Sequence, residues 1–134
     1  MTTTEICLRH AAKFAANSTL RVRVGAYFTR GGSDWYGARN QRKTHPGLAR
    51  LGLPKWSTRH AEMALALESR HRGGSWEDSY CRLVGQDIYV ARLLLDGSWA
   101  LARPCKHCMK MLAGERVRSV TWTTEPGEWD SLTL

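Results

Sequence analysis

Two short stretches, "RHAEM" at 59–63 and "RPCKHCM" at 103–109, constrain this chain more than any other feature. The first offers an imidazole, His60, and a carboxylate, Glu62. The second offers two thiols, Cys105 and Cys108, in a Cys-x-x-Cys. Helix formers follow each of them, so both stretches are expected to open helices. One imidazole and two thiolates make a three-ligand zinc set, with one ion per chain. A fold that uses the set must bring two helix starts together, although 45 residues separate His60 from Cys105. Three protein ligands leave the fourth tetrahedral position open for water, as in a catalytic rather than a structural site. Zinc lowers the pKa of such a water from 15.7 to about 7. A helix N-terminus favours anions and helps to keep Cys105 and Cys108 deprotonated. Glu62 is not needed as a ligand. Two residues beyond His60, it is placed to take a proton from the water and pass it on.

The rest of the chain predicts a mixed α/β domain. "TTEICLRHAAKFAAN" has apolar residues at helical spacing, with Asn17 as its stop. "LRVRVGAYFT", from Leu20, alternates like a half-buried strand; "GGSD" turns it, and "WYGARNQRK" returns as the second strand of a hairpin. A long connection, 44–58, leads to the helix containing His60 and Glu62, with Ser57 or Thr58 as its cap. "DIYVARLLL" (87–95) is a strand that turns at Asp96-Gly97 into "SWALAR". Pro104 suits the first turn of the helix "PCKHCMKMLAGE". "RSVTWTT" and "WDSLTL" then read as two strands joined by the turn "EPGE".

The chain has 134 residues, the size of one domain (1–134), large enough to need no disulfide staples. The start "MTTTEICLRH" lacks the pattern of a signal peptide, and no run is long and apolar enough to span a bilayer. A cytoplasmic protein with no membrane partner is therefore expected. In a reducing compartment a Cys-x-x-Cys points to metal or redox chemistry. Cys7 and Cys81 read as buried or idle thiols, and His107, inside the Cys-x-x-Cys, as an exposed residue. The net charge of +8 suits an acidic partner, but the arginines are scattered, as on any solvated basic surface.

H-x-E followed by P-C-x-x-C is the signature of zinc deaminases of nucleobases. On "HAE" at 60–62, "PCKHC" at 104–108 and the order helix, hairpin, helix, strand, helix, strand, strand, the chain resembles the zinc-dependent cytidine deaminase superfamily over nearly its whole length. The resemblance implies a three-layer α/β/α sandwich with a mixed five-stranded central sheet. It implies that His60, Cys105 and Cys108 bind zinc, that Glu62 shuttles protons, and that the chain assembles as a homo-oligomer. It further implies that Asn40 contacts the sugar or base, and that the backbone N–H of Ala61 and the C=O of Arg103 face the base. The bland alternative for Asn40 is a turn-forming residue at a strand end.

The chain departs from the family pattern at 71–86, which looks like an insertion between histidine and cysteines. "ALAR" replaces the serine-tryptophan-serine approach of polynucleotide cytosine deaminases, and the two directly joined strands at the end resemble free-nucleoside enzymes. The leading expectation is hydrolytic deamination of a cytosine-type base in a free nucleoside or nucleotide. A second is deamination of single-stranded DNA or RNA, with Trp35, Tyr36 and Trp56 stacking bases and Arg39, Arg42 and Lys43 steering the strand. A third is an inert zinc-stabilised binding module, for which Glu62 would have no use.

Overall fold

The computed structural model describes residues 1–31, 34–43, 59–71 and 82–134. Its elements in chain order are α1 (Thr3–Ala16), β1 (Arg23–Thr29), β2 (Trp35–Arg39), α2 (Ala61–His71), β3 (Asp87–Leu93), β4 (Trp99–Ala100), α3 (Lys106–Gly114), β5 (Ser119–Glu125) and β6 (Glu128–Thr133). The strands form one mixed sheet of order β2-β1-β3-β5-β6, with β4 paired to β3 off that path. The sheet therefore has six strands rather than the five expected. The sixth is β4, two residues that return from the Asp96-Gly97 turn before Leu101 leaves the sheet.

β1 runs antiparallel to both β2 and β3, and β6 antiparallel to β5, whereas β3 and β5 are parallel. Parallel neighbours need a crossover longer than a hairpin turn. Here β4 and α3 make the connection, so the Cys-x-x-Cys lies on a crossover. At the start of the parallel pair, the Arg118 guanidinium meets the Asp87 carboxylate and holds its pKa below the ordinary value; the Ser119 hydroxyl donates to the same carboxylate.

Alternation along the strands places helices on both faces. Tyr27 and Ala91 pack with Cys7 and Ala11 of α1. Their strand neighbours Ala26, Phe28 and Val90 point the other way, into a larger core with α2 and α3. α1 buries Cys7, Leu8, Ala11 and Ala15 at helical spacing and leaves Ile6 exposed. Thr2 caps it, and Asn17 ends it as expected. α2 buries Ala61 and every residue from Met63 to Leu67, because core side chains surround it.

Some element ends differ from expectation. β1 begins at Arg23 rather than Leu20, since the Asn40 side chain holds the backbone at Val22 and Val24. β2 ends at Arg39, and β3 at Leu93, where the turn closed by Leu94 N–H to the Ser98 carbonyl begins. Pro104 lies outside α3, whose N-cap is Cys105. The helix cap expected at Ser57 or Thr58, and Trp56 and Cys81, lie outside the described residues, as does most of the 71–86 excursion.

Candidate metal centre

The three expected ligands converge. His60 Nδ1 lies 3.4 Å from the Cys108 Sγ and 3.6 Å from the Cys105 Sγ. The three donor atoms all fall within 4.8 Å of one another. Tetrahedral ligands at about 2.0–2.1 Å (nitrogen) and about 2.3 Å (sulfur) from one ion would stand about 3.5 Å apart. The donor set could therefore hold a metal ion.

Local structure explains the convergence. His60 flanks the first residue of α2 rather than lying inside the helix, and its carbonyl accepts from Ala64 N–H at 2.9 Å. An isolated bridge holds the preceding residue: Gln41 N–H donates to the Arg59 carbonyl at 2.7 Å, and Arg59 N–H to that of Gln41 at 3.2 Å. The bridge fixes the entry of α2 against the strand that ends beside Asn40. Cys105 is the N-cap of α3, its carbonyl accepting from Met109 N–H at 2.9 Å, and its side chain makes no capping hydrogen bond. Cys108, one turn on, is fully buried. All three donors thus stand at two facing helix N-termini.

Thr123 of β5, also fully buried, orders the approach to Cys105. Its hydroxyl donates to the Ala100 carbonyl at 2.7 Å and accepts from Arg92 N–H at 3.2 Å. The Thr123 carbonyl accepts from Ala102 N–H at 2.9 Å. Neither Thr123 nor Gln41 stood out in the sequence. A threonine in an apolar strand and a glutamine in a polar loop carry no local signal of what they bridge.

Glu62 is 3% exposed and lies beside these donors. Burial pushes its carboxyl pKa up, opposed by its own backbone N–H, by His60 and by the Cys108 side chain. Burial also pushes the Cys108 thiol up, and the nearby Glu62 and Cys105 add to the effect. Three groups that ionise to anions around one point repel unless a cation joins them, and a bound cation would offset that repulsion and favour their ionised forms.

His60 and Cys105 open onto a cleft of about 340 Å³ whose lining includes Asn40, Ala61, Glu62 and Arg103. All the expected site residues except the fully buried Cys108 therefore border one space. Asn40 does so with its amide largely committed. Its Oδ1 accepts from Val24 N–H at 3.1 Å, and its Nδ2 donates to the Val22 carbonyl at 2.6 Å. Its strand-end role is thus met in full, and one amide hydrogen and one lone pair are left for a ligand. The Arg103 guanidinium lies over the Trp122 ring, 5.3 Å from its centroid.

Several residues considered for nucleic acid lie elsewhere. Tyr36 is buried and stacks on Phe28 at 4.9 Å, while Trp35 tilts against Phe14 of α1 at 5.9 Å. Arg39 donates to the Asn17 carbonyl at 2.7 Å. Trp35 and Phe14 help to line a larger hollow, about 460 Å³, on the α1 side; none of the metal donors lines it. Cys7 is buried and His107 exposed, as expected. Among the described residues no helix is long and apolar enough to cross a membrane. No family model matches the chain, and comparison with curated proteins gives no match.

Proposed function

We propose that the chain is a zinc-dependent hydrolytic deaminase of the cytidine deaminase type, acting on a cytosine-type base in a free nucleoside or nucleotide. The observation that carries this reading is the buried carboxylate of Glu62 beside a three-donor His60–Cys105–Cys108 cluster. A structural zinc site closes its coordination with four protein ligands. Here three are gathered among the described residues, and the neighbouring carboxylate borders a cleft of ligand size.

When bound, zinc would supply hydroxide at neutral pH and polarise the attacked centre. The chain's own residues do the rest. His60, Cys105 and Cys108 hold the ion. The Glu62 carboxylate takes a proton from the attacking water and delivers it to the ring nitrogen. A second proton passes through the same carboxylate to the leaving amine, which departs as ammonia while the C–N bond breaks and a carbonyl remains. The Ala61 N–H belongs to the unpaired first turn of α2, and with the Arg103 carbonyl it supports the base edge.

The test is ammonia release by the zinc-loaded protein from cytidine, deoxycytidine, their monophosphates, adenosine and a single-stranded oligonucleotide. We expect turnover of a small cytosine substrate and its loss in Glu62→Ala, by at least about 10²–10⁴-fold, with zinc and fold kept. Full activity in that variant would remove Glu62 from the mechanism. Zinc-loaded protein that is silent on the whole panel would favour a binding module.

A further inference from the structure

We infer that the cleft beside the metal donors recognises a phosphate group through Arg59 and Arg92, so that the substrate is a nucleoside monophosphate rather than a free nucleoside. The inference rests on the deaminase reading for the base, but not for the anion.

Charge gives the first reason. Among the described residues that line the cleft, Arg59, Arg92 and Arg103 are cationic and Glu62 alone is acidic. Glu62 sits at the buried end with the donors, which leaves the arginines without a counter-charge in the lining. A neutral nucleoside makes no use of such a field, whereas a phosphate does.

Hydrogen bonding gives the second, independent reason. Among the described residues, the buried Nε–H groups of Arg59 and Arg92 find no hydrogen-bond partner. A buried donor without an acceptor is costly, and native structures rarely tolerate one without a role for it. Guanidinium presents Nε–H and a terminal N–H as a fork that matches two phosphate oxygens. The Arg23 Nε also finds no partner among the described residues, but its guanidinium is anchored on the Leu94 carbonyl and does not line the cleft. Arg103 is already engaged on Trp122.

Placement agrees. Arg59 directly precedes His60 and is fixed by its bridge to Gln41. Arg92 is in register with Val24 of β1 and Ala100 of β4. It projects from the same face of β3 as Ile88 and Val90, the face that carries α2 and α3. The two arginines thus reach the cleft from separate elements on the metal side of the sheet. Its volume of about 340 Å³ is at the small end of ligand pockets, room for one nucleotide.

The experiment is calorimetric titration of zinc-loaded Glu62→Gln protein, which does not consume its ligand. The probes are cytidine, cytidine 5′-monophosphate, inorganic phosphate and a single-stranded oligonucleotide. We expect the monophosphate to bind about tenfold or more tightly than cytidine. Arg59→Gln and Arg92→Gln should each erase that advantage, so that each variant binds the monophosphate no more tightly than it binds cytidine. Equal affinity for cytidine and its monophosphate overturns the inference, and this comparison needs neither arginine variant to fold. Tighter binding of the oligonucleotide, with affinity falling steeply with salt, would assign the arginines to a strand and overturn the monophosphate. Phosphate binding that is lost in Arg92→Gln, with no cytosine ligand bound, would uphold the anion site while the deaminase reading fails.

Discussion

Within "PCKHC", three side chains capable of binding metal stand in four consecutive positions, and only two of them point at His60. Cys105 as N-cap and Cys108 one turn later share a helix face, while His107 falls on another and is exposed. Position in the first turn, rather than residue type, decides which of these side chains could share an ion with His60. Cys105→Ala should therefore lose stoichiometric metal, measured by elemental analysis of the purified protein, while His107→Ala keeps one ion per chain. Metal retained by the first variant, or lost from the second, would reassign the ligands. The same scale shows what a sequence can carry. His60, Glu62, Cys105 and Cys108 were legible because their chemistry is rare and their spacing fits two helix starts. Arg59 and Arg92 were not, since twenty lysines and arginines dilute any one of them. Only folding brings two of these side chains to the cleft beside the donors, with Nε–H groups that find no partner among the described residues.

Elements pack by how closely their backbones approach, and two glycines measure that approach on the α1 side. A Cβ on Gly25 of β1 would stand 2.1 Å from the Ala11 carbonyl oxygen and 2.4 Å from the Ala15 nitrogen, both backbone atoms of α1. A Cβ on Gly37 of β2 would stand 2.0 Å from the Phe14 ring, a side chain that can swing away. Gly25→Ala must push the whole helix off the sheet and should cost about 3 kcal/mol or more; Gly37→Ala, relieved by a rotamer change, should cost about 1–2 kcal/mol. Urea denaturation of the two variants tests the order, and a larger loss at Gly37 would mean that Phe14 is locked in place. Neither clash could be read from "RVGAY" or "WYGAR", because a glycine in a strand shows that something comes near without showing what. Strand and helix identities were legible for the opposite reason: alternation and helical spacing are local, and the structure keeps them. The count of five strands comes from the family resemblance; the chain itself offers "SWALAR" as the return of a hairpin, and the structure keeps two residues of it as β4.

At the scale of the whole molecule, the sheet divides the core into two bodies with different dependence on the metal site. α1 packs on one face through Cys7, Ala11, Tyr27 and Ala91, away from the donors. On the other face α2 and α3 meet, and their N-termini carry all three donors. An ion held there would cross-link two segments that are far apart in sequence and offset the repulsion among groups that ionise to anions. Its removal should therefore act locally first. For a site saturated to about a thousand times its dissociation constant, binding contributes about 4 kcal/mol to the folded state. In a domain of this size, that corresponds to a fall in Tm on the order of 10 °C after chelation. Hydrogen exchange should place the loss in the first turns of α2 and α3, while α1 and its contacts with β1 keep their protection. Re-addition of zinc should restore both, and Cys105→Ala should already have the lower Tm and not respond to chelator. If α1 lost protection as fully as α2 and α3, the ion would be a condition of the entire fold rather than a clamp on one face. The two sides of the sheet would then be a single cooperative unit.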